Sequence, residues 1–193
     1  TNLTSFFRES HHFEALIDDL KARAGKPLRI WCNAASTGEE PYTIAMTVIE
    51  ALGERADVKI VASDIDTNVL ATAARGVYPA DARGLSPERQ RRHCQRGTGA
   101  NSGSMRVKPE LTKMIEFRSL NLMDARWSLG EPFDIVFCRN VMIYFDAATQ
   151  RRVLGQIHAV MKPKSLIYVG HSENFTDLKT LFRLRGKTIY EHV

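Results

Sequence analysis

Apolar residues in this chain alternate between short continuous runs and helical spacings, and this alternation predicts strands and helices in turn. The continuous runs predict strands at Leu28–Cys32, Val58–Ser63, Met114–Phe117, Phe133–Cys138 and Leu166–Val169. The helical spacings predict helices at Phe13–Ala24, Thr67–Arg75 and Ala147–Met161, and another that starts near Pro41 and ends near Gly53. The pattern indicates an α/β fold, with a doubly wound, mostly parallel sheet and helices on both faces.

Two segments break this alternation. Phe182–Leu184 and Thr188–Glu191 are joined by a short turn, and they predict an antiparallel hairpin at the C-terminal end. Residues from about 79 to 113 are polar and weakly periodic, with a basic helix expected from Ser86 to Arg96 and a short strand at Met105–Lys108. We interpret this segment as a small inserted β-subdomain within a single domain over residues 1–193.

Composition narrows the class of protein. A chain of 193 residues can bury one sizeable core. No apolar run approaches the roughly 20 residues that span a bilayer. Cys32, Cys94 and Cys138 lack the spacing of a disulfide framework or a zinc site, so we expect reduced thiols in a cytoplasmic protein. The net charge of +5 suggests at most an acidic partner. The sequence begins at Thr1 without an initiator methionine, and a motif-dense stretch follows at once. We therefore expect that an N-terminal part of the protein is missing from this sequence.

The segment from Leu28 to Tyr42 carries the most specific chemistry. A predicted strand breaks into small residues at positions 34–38, and a helix start with Glu39 and Glu40 follows. A phosphate-binding turn presents main-chain N–H groups and often a lysine, whereas these carboxylates repel phosphate. We therefore expect a ligand that is neutral or cationic at this turn. S-adenosylmethionine, which carries a sulfonium and an ammonium group, fits this demand, while NAD and ATP fit it poorly.

Other polar residues follow the ends of neighbouring predicted strands, where ligands bind in sheets of this type. Asp64 follows the second strand, at about the distance where an acid accepts the hydroxyl hydrogens of a ribose. Asp64 and Asp66 also precede a helix, so capping is the alternative for both. Asn121 and Leu122 follow the third strand, where they suit either an adenine ring or an ordinary turn.

The last two strand ends are polar as well. Arg139 and Asn140 follow the fourth strand directly and should lie at the same edge of the sheet. His171 follows the fifth strand. Its imidazole suggests a general base for a hydroxyl or amine acceptor, and the preferred alternative is a loop histidine bonded to neighbouring backbone.

Five segments of the chain resemble, in the same order, the chemotaxis receptor glutamate methyltransferases: TNLTSFFRE, AASTGEEPY, ASDID, CRNVMIYF and GHSENF. The resemblance implies a Rossmann-like, S-adenosylmethionine-dependent enzyme that methylates glutamate side chains on the cytoplasmic helices of chemoreceptors. The products would be glutamyl methyl esters and S-adenosylhomocysteine. It also implies that the family's N-terminal helical domain is absent from this chain. The inserted subdomain would match one that, in some members, binds a peptide at the receptor's C-terminus.

The resemblance assigns roles to individual positions. It implies cofactor contacts at Asn2, Thr4, Arg8, Glu40, Asp64, Asn121, Leu122, Arg139 and Asn140. It also places Arg8 and Tyr144 at the point of methyl transfer. The alternatives are that Arg8 caps a helix end and that Tyr144 packs in the core. His11 and His12 have no metal-like partners at useful spacing, so no metal is expected.

Other functions remain open at this point. A regulatory module that binds S-adenosylmethionine or S-adenosylhomocysteine and acts through protein contacts, without turnover, carries the same motifs. A nucleic-acid or small-molecule methyltransferase shares the fold, but CRNVMIYF stands where amino-directed nucleic-acid enzymes carry an Asp/Asn-Pro-Pro-aromatic motif. The basic stretch from Arg89 to Arg96 is best interpreted as a solvated helix face, and a surface for an acidic protein is the second interpretation. Nucleic-acid binding ranks last, because no aromatic residues interleave with the basic ones.

Overall fold

The computed structural model describes residues 3–173, 175 and 178–193, which form a large sheet flanked by helices and a smaller antiparallel sheet. The strands are β1 Leu28–Cys32, β2 Val58–Asp64, β3 Val77–Pro79, β4 Cys94–Arg96, β5 Ser104–Val107, β6 Ile115–Ser119, β7 Phe133–Cys138, β8 Met161–Val169, β9 Phe182–Gly186 and β10 Ile189–His192. The helices are α1 His11–Ala22, α2 Glu39–Leu52, α3 Thr67–Arg75, α4 Pro87–His93, α5 Pro109–Thr112 and α6 Ala147–Ala159. Gly99–Asn101 and Met142–Tyr144 form short 3₁₀ turns.

The large sheet has the strand order β6-β2-β1-β7-β8-β10-β9. Its first five strands in this order run parallel, and β10 lies antiparallel between β8 and β9. The chain moves outward on one side of β1 and then returns to the other side with β7. Such a reversal opens a crevice at the carboxyl ends of the two central strands. The predicted α/β fold with a C-terminal antiparallel hairpin is confirmed.

The core lies on both faces of the large sheet. Ile30 and Cys32 of β1 belong to the buried cluster that includes residues of α1 and α2. Trp31 belongs to the cluster on the other face, with Val153 and Ile157 of α6. Because both faces of the central strands are covered, their sequences read as continuous apolar runs. All three cysteines of the chain are buried and free, as expected.

The small sheet, in the order β3-β5-β4, departs from the sequence prediction in two places. The predicted basic helix through Arg96 is wrong, because α4 ends at His93 and Cys94–Arg96 pairs with β5. The strand β3, which contains Pro79, was not among the predicted strands. It is an edge strand, where proline is tolerated.

The basic stretch divides between two roles. Arg89 pairs with Glu50 of α2, with its Nε 3.0 Å from Oε1, and its guanidinium lies 3.9 Å above the ring of Phe7. Arg91 and Arg92 are exposed to solvent.

Within the part of the chain that the structure describes, no helix has both the length and the apolar character needed to cross a bilayer.

Candidate functional site

Two adjacent cavities, of about 370 Å³ and 250 Å³, lie at the crevice above β1 and β7. They share Ala34, Asp64, Val141 and Tyr144 in their walls, and we call them together the strand-end cleft. Asn2 lies outside the described residues. All the other residues with predicted site roles line the cleft, namely Thr4, Arg8, Glu40, Asp64, Asn121, Leu122, Arg139, Asn140 and Tyr144.

The turn between β1 and α2 forms the floor of the first cavity. Gly38 has a φ of 101°, and a Cβ there would lie 2.6 Å from the Tyr78 hydroxyl and 2.9 Å from the Cβ of Ala73. The Tyr78 hydroxyl donates to the carbonyl of Thr37 at 2.7 Å. Only glycine allows this approach, so the one glycine of the turn holds it against α3 and the small sheet.

A buried ion pair stands at the base of the first cavity. Arg139 Nη1 lies 3.4 Å from Glu40 Oε2, and the two side chains are 1% and 14% exposed. Burial raises the pKa of Glu40, and the nearby charge of Arg139 opposes that shift. The thiol of Cys32 donates to the other carboxylate oxygen at 3.3 Å. The cavity therefore offers one buried cation and one buried anion side by side.

Arg139 is only partly satisfied by the protein. Its Nη2 donates to the carbonyl of Arg8 and lies 3.8 Å from Glu9 Oε2. Its Nε and Nη1 are buried and form no hydrogen bond within the described residues. Buried polar groups in native structures normally have partners, so unpartnered donors in a cavity wall are a place for a ligand.

Asp64 and Asp66 have separate roles. Asp64 Oδ2 accepts from the Ser36 main-chain N–H at 2.8 Å, and Oδ1 accepts from that of Asp66 at 3.0 Å. Asp66 caps α3, because its side chain accepts from the N–H of Asn68 at 2.8 Å. Asp64 thus ties two strand-end loops together beside the cleft, and each oxygen retains a further lone pair.

Residues 3–9, which we call the N-terminal strap, close one side of the first cavity. Arg8 Nη1 donates to the carbonyl of Leu3 at 2.7 Å, so Arg8 does not cap a helix end. Phe6 is 1% exposed, and its N–H donates to the carbonyl of Arg83 at 3.1 Å. A Cβ on Gly84 would lie 1.8 Å from the Phe6 carbonyl oxygen, so glycine is required for this contact. The strap is therefore anchored beside the small sheet.

Residues 139–146, which we call the β7 loop, form the opposite wall. Tyr144 is 64% exposed, so the alternative that it packs in the core is wrong. Its neighbour Ile143 is 51% exposed and lines the same cavity. Asn140 has a φ of 58°, the left-handed region that asparagine tolerates better than most residues. The loop thus presents a phenol and an apolar side chain at the mouth of the cleft.

The second cavity is mostly apolar. Leu122 is buried in its wall, and Ile65 and Met123 lie exposed at its rim. Asn121 Oδ1 accepts from the N–H of Met123 at 2.9 Å, so the expected turn role is present. A mostly apolar cavity whose wall includes an amide side chain is suited to a heteroaromatic ring.

The structure brings Glu9 beside the two histidines that the sequence left without metal-like partners. One ligand atom from each of Glu9, His11 and His12 lies within 4.8 Å of the others. His12 is buried, its Nε2 lies 3.0 Å from the carbonyl oxygen of Lys187, and burial lowers its pKa to about 4. The guanidinium of Arg139, 3.8 Å from Glu9, opposes a cation at this point.

His171, which the sequence offered as a general base or as a loop histidine bonded to backbone, is exposed in the wall of the first cavity. Within the described part of the chain it has no hydrogen-bond partner, so the backbone bond is not seen there. Sequence reasoning missed other residues of the site. Leu3, Ser36 and Ser172 also line that cavity. Glu173 is 4% exposed and accepts hydrogen bonds from the main chain of the β7 loop. It lies in the segment GHSENF, but its residue type alone does not reveal this contact.

Comparisons with known proteins agree on one family. Residues 2–190 match the family model described as CheR methyltransferase, SAM binding domain. The chain is 52% identical to chemotaxis protein methyltransferase 2 of Pseudomonas aeruginosa, covering 98% of this chain and 69% of the relative. It is 50% identical to the chemotaxis protein methyltransferase of Klebsiella aerogenes, over 98% of this chain and 66% of the relative. The chain spans about two thirds of the length of these relatives.

Similarity to solved structures shows the fold alone. The DszA carbon methyltransferase is 17% identical, with a TM-score of 0.53 over 83% of this chain and 35% of that chain. The cyclase SpnF is 13% identical, with a TM-score of 0.50 over 88% of this chain and 47% of that chain. A methyltransferase and a cyclase on one fold illustrate that function has to be argued from the site.

Proposed function

Because the chain belongs to the CheR methyltransferase family and matches its S-adenosylmethionine-binding domain, we propose that it methylates glutamate side chains of bacterial chemoreceptors. The observation that carries the proposal is the buried ion pair Arg139–Glu40 in the strand-end cleft, in which the Nε and Nη1 groups of Arg139 form no hydrogen bond within the described residues. The amino-acid end of S-adenosylmethionine is a zwitterion, so Arg139 would hold its carboxylate and Glu40 would hold its ammonium group.

The rest of the cleft is consistent with the other parts of the same cofactor. Asp64 retains lone pairs for the ribose hydroxyls, and the apolar second cavity with Asn121 and Leu122 suits the adenine ring. Thr4, Arg8 and Asn140 complete the described part of the proposed binding set, to which Asn2 is added from the sequence. When bound, S-adenosylmethionine supplies a methyl group activated by its sulfonium sulfur.

Methyl transfer to a carboxylate requires mainly that the protein positions the acceptor and the methyl donor. A glutamate side chain has a pKa of about 4.3 and is an anion at neutral pH, so no strong base is needed. Arg8, exposed in the cavity wall, would hold the acceptor carboxylate, and the Tyr144 hydroxyl would orient it. Alignment and exclusion of water are then the main contributions to rate. Transfer would break the methyl–sulfur bond as the carboxylate oxygen–methyl bond forms, and would leave S-adenosylhomocysteine and a glutamyl methyl ester.

The proposed partners are the cytoplasmic methylation helices of chemoreceptors, so the protein would act in the cytoplasm without entering the membrane. A receptor C-terminal peptide at the small sheet is a further proposed partner. The division into one methyltransferase domain with an insertion at about residues 79–113 stays a prediction. A site without metal and the absence of nucleic acid among the partners also stay predictions.

The test is methylation of receptor membranes by the full-length protein with radiolabelled S-adenosylmethionine. We expect label that is released as methanol by alkali, and none on receptors whose methylated glutamates are replaced by alanine. Label that is stable to alkali would contradict the proposal. Tight binding of S-adenosylhomocysteine without any turnover would instead support the regulatory module, which no observation on this structure favours.

A further inference from the structure

We propose that Glu173 is a positioning residue for methyl transfer, which holds the β7 loop in the conformation that presents Asn140 and Tyr144 to the cleft. This inference rests on the proposed function. Glu173 belongs to the loop after β8, is 4% exposed, and lies outside the set of residues that line the cleft. Its carboxylate does not pair with any basic side chain within the described residues.

The carboxylate is bound entirely by main-chain N–H groups. Its Oε1 accepts from Val141 at 3.0 Å and from Met142 at 2.7 Å. Its Oε2 accepts from Asn140 at 2.9 Å and from Gly170 at 2.7 Å. Four donors converge on one side chain, and only an ionised carboxylate can accept from all of them, because a protonated acid or an amide would bring a donor of its own.

The backbone of the β7 loop is shaped to receive this anion. Successive N–H groups around a residue in the left-handed region form a concave site that binds anions. Asn140 is such a residue, with a φ of 58°, and its N–H and the next two all point to Glu173. Without an acceptor the buried N–H of Met142 and the half-buried N–H groups of Asn140 and Val141 would lose their partner, so the carboxylate and the loop conformation require each other.

Gly170 leaves the space that the contact needs. A Cβ at this position would lie 2.7 Å from Asn140 Oδ1 and 2.9 Å from Glu173 Oε2. An alanine there would push on both partners while leaving the charge of Glu173 intact. Gly155 in α6 is the matched control, because nothing lies within 4 Å of a Cβ built on it.

The β7 loop affects the reaction because it also carries Tyr144. Tyr144 lies two residues beyond the last N–H that Glu173 binds, and it is 64% exposed with little packing of its own. The position of its hydroxyl therefore depends on the main chain, and a shift of about 1 Å in a reacting geometry can cost about a hundredfold in rate. Glu173 acts on the reaction only through this loop.

The experiment compares Glu173→Gln, Glu173→Asp, Gly170→Ala and Gly155→Ala in the full-length protein. We expect Glu173→Gln and Gly170→Ala to lower kcat for receptor methylation between about tenfold and a hundredfold, with a smaller effect on KM for receptor. Glu173→Asp should retain part of the turnover, and Gly155→Ala all of it. Amide hydrogen exchange should accelerate at residues 140–142 in the first two variants, while far-ultraviolet circular dichroism remains unchanged.

Chemical rescue separates positioning from general destabilisation. In Glu173→Ala, added formate should occupy the vacated anion site and raise kcat, whereas chloride at equal ionic strength should not. Unchanged kcat in Glu173→Gln, a loss without faster exchange at residues 140–142, or no rescue by formate would overturn the inference. If the unmodified protein forms no methyl esters, the proposed function fails, while the exchange rates still test whether Glu173 holds the loop.

Discussion

Asp64 and Asp66 lie two residues apart, yet the Asp64 carboxylate binds the loop after β1 while the Asp66 carboxylate binds the start of α3. Asp64 accepts from the N–H of Ser36 at 2.8 Å and faces the cleft, whereas Asp66 accepts from the N–H of Asn68 at 2.8 Å and caps α3. From the sequence, either residue could cap the helix that follows. In the structure, Asp66 is the residue that caps α3. The two positions therefore form a matched pair for mutation.

Asp64→Ala should weaken S-adenosylhomocysteine binding about tenfold or more, because a hydrogen bond to a charged group contributes about 1.5–3 kcal/mol. Asp66→Ala should leave the affinity unchanged and lower the free energy of unfolding by about 1 kcal/mol through loss of the cap. Calorimetric titration and thermal unfolding measure the two effects. Equal affinity in Asp64→Ala and the unmodified protein would show that the ribose binds elsewhere.

Glu40 should make cofactor binding pH-dependent. Burial raises the pKa of Glu40, so it gains a proton at a higher pH than an exposed glutamate does. As the pH falls through that raised pKa, Glu40 loses the charge that would bind the ammonium group of the cofactor. Affinity for S-adenosylhomocysteine should therefore fall from about pH 7 toward about pH 5 in the unmodified protein.

The matched variant Glu40→Gln cannot titrate. Its affinity at neutral pH should be lower by about tenfold, and it should change less between the same two pH values. Calorimetry at both values compares the two proteins. A pH dependence that is the same in Glu40→Gln would assign the titration to another group.

Arg8 and Tyr144 should affect turnover more than cofactor affinity. Tyr144→Phe removes one hydroxyl from an exposed ring, so the fold should be unaffected, and kcat should fall by about tenfold while the Kd of S-adenosylhomocysteine stays within about twofold. Arg8→Ala should lower kcat further, and by a larger factor than it raises the Kd of S-adenosylhomocysteine, because Arg8 is proposed to contact both the acceptor and the cofactor. Arg91→Ala, an exposed arginine away from the cleft, is the control. If Arg8→Ala weakens cofactor binding more than turnover, Arg8 belongs to the cofactor.

His12 should make the folded protein less stable in mild acid. Its pKa is lowered to about 4, mainly by burial, so the unfolded chain binds a proton between about pH 6.5 and pH 4 that the folded chain does not. Its contribution to stability is present above the unfolded pKa and is lost as the pH falls through this range. Between about pH 7 and pH 5 the loss should be about 2 kcal/mol.

Urea unfolding of His12→Gln at both pH values tests this expectation. The variant has no imidazole to titrate, so its stability should fall by about 2 kcal/mol less than that of the unmodified protein. His11→Gln, with a more exposed side chain, serves as the control and should retain most of the original difference, because burial of His12 is the largest cause of its lowered pKa. An identical pH dependence in all three proteins would contradict the assignment.

Much of the fold could be predicted because its signal is local. β1 and β7 are covered on both faces, so their apolar runs are continuous and their bounds match the prediction. The end of α4 could not be predicted, because residues from Cys94 onward have no signal against a helix except their pairing with β5. Tertiary pairing overrides local preference there.

The residues of the site also divide into those that a local sequence signal reveals and those that only tertiary contacts reveal. Asp64 and Arg139 could be placed in the cleft because parallel strands bring their carboxyl ends to one edge. Glu173 could not, because its partners are main-chain N–H groups, which every residue but proline carries. Glu9 was missed for a related reason, since its approach to Arg139 depends on a turn with positive φ at Phe7 and Glu9.

The bond between Arg139 and the carbonyl of Arg8 joins residues 131 positions apart. On the ribosome the N-terminal strap is synthesised before β1, and the arginine that binds it to the central strands is synthesised 131 positions after Arg8. Domains fold from the N-terminal side as the chain lengthens, so β1 and β2 can pair before this bond exists. A nascent chain that stops short of β7 would hold only half of the cleft, so competence to bind the methyl donor arises late in translation.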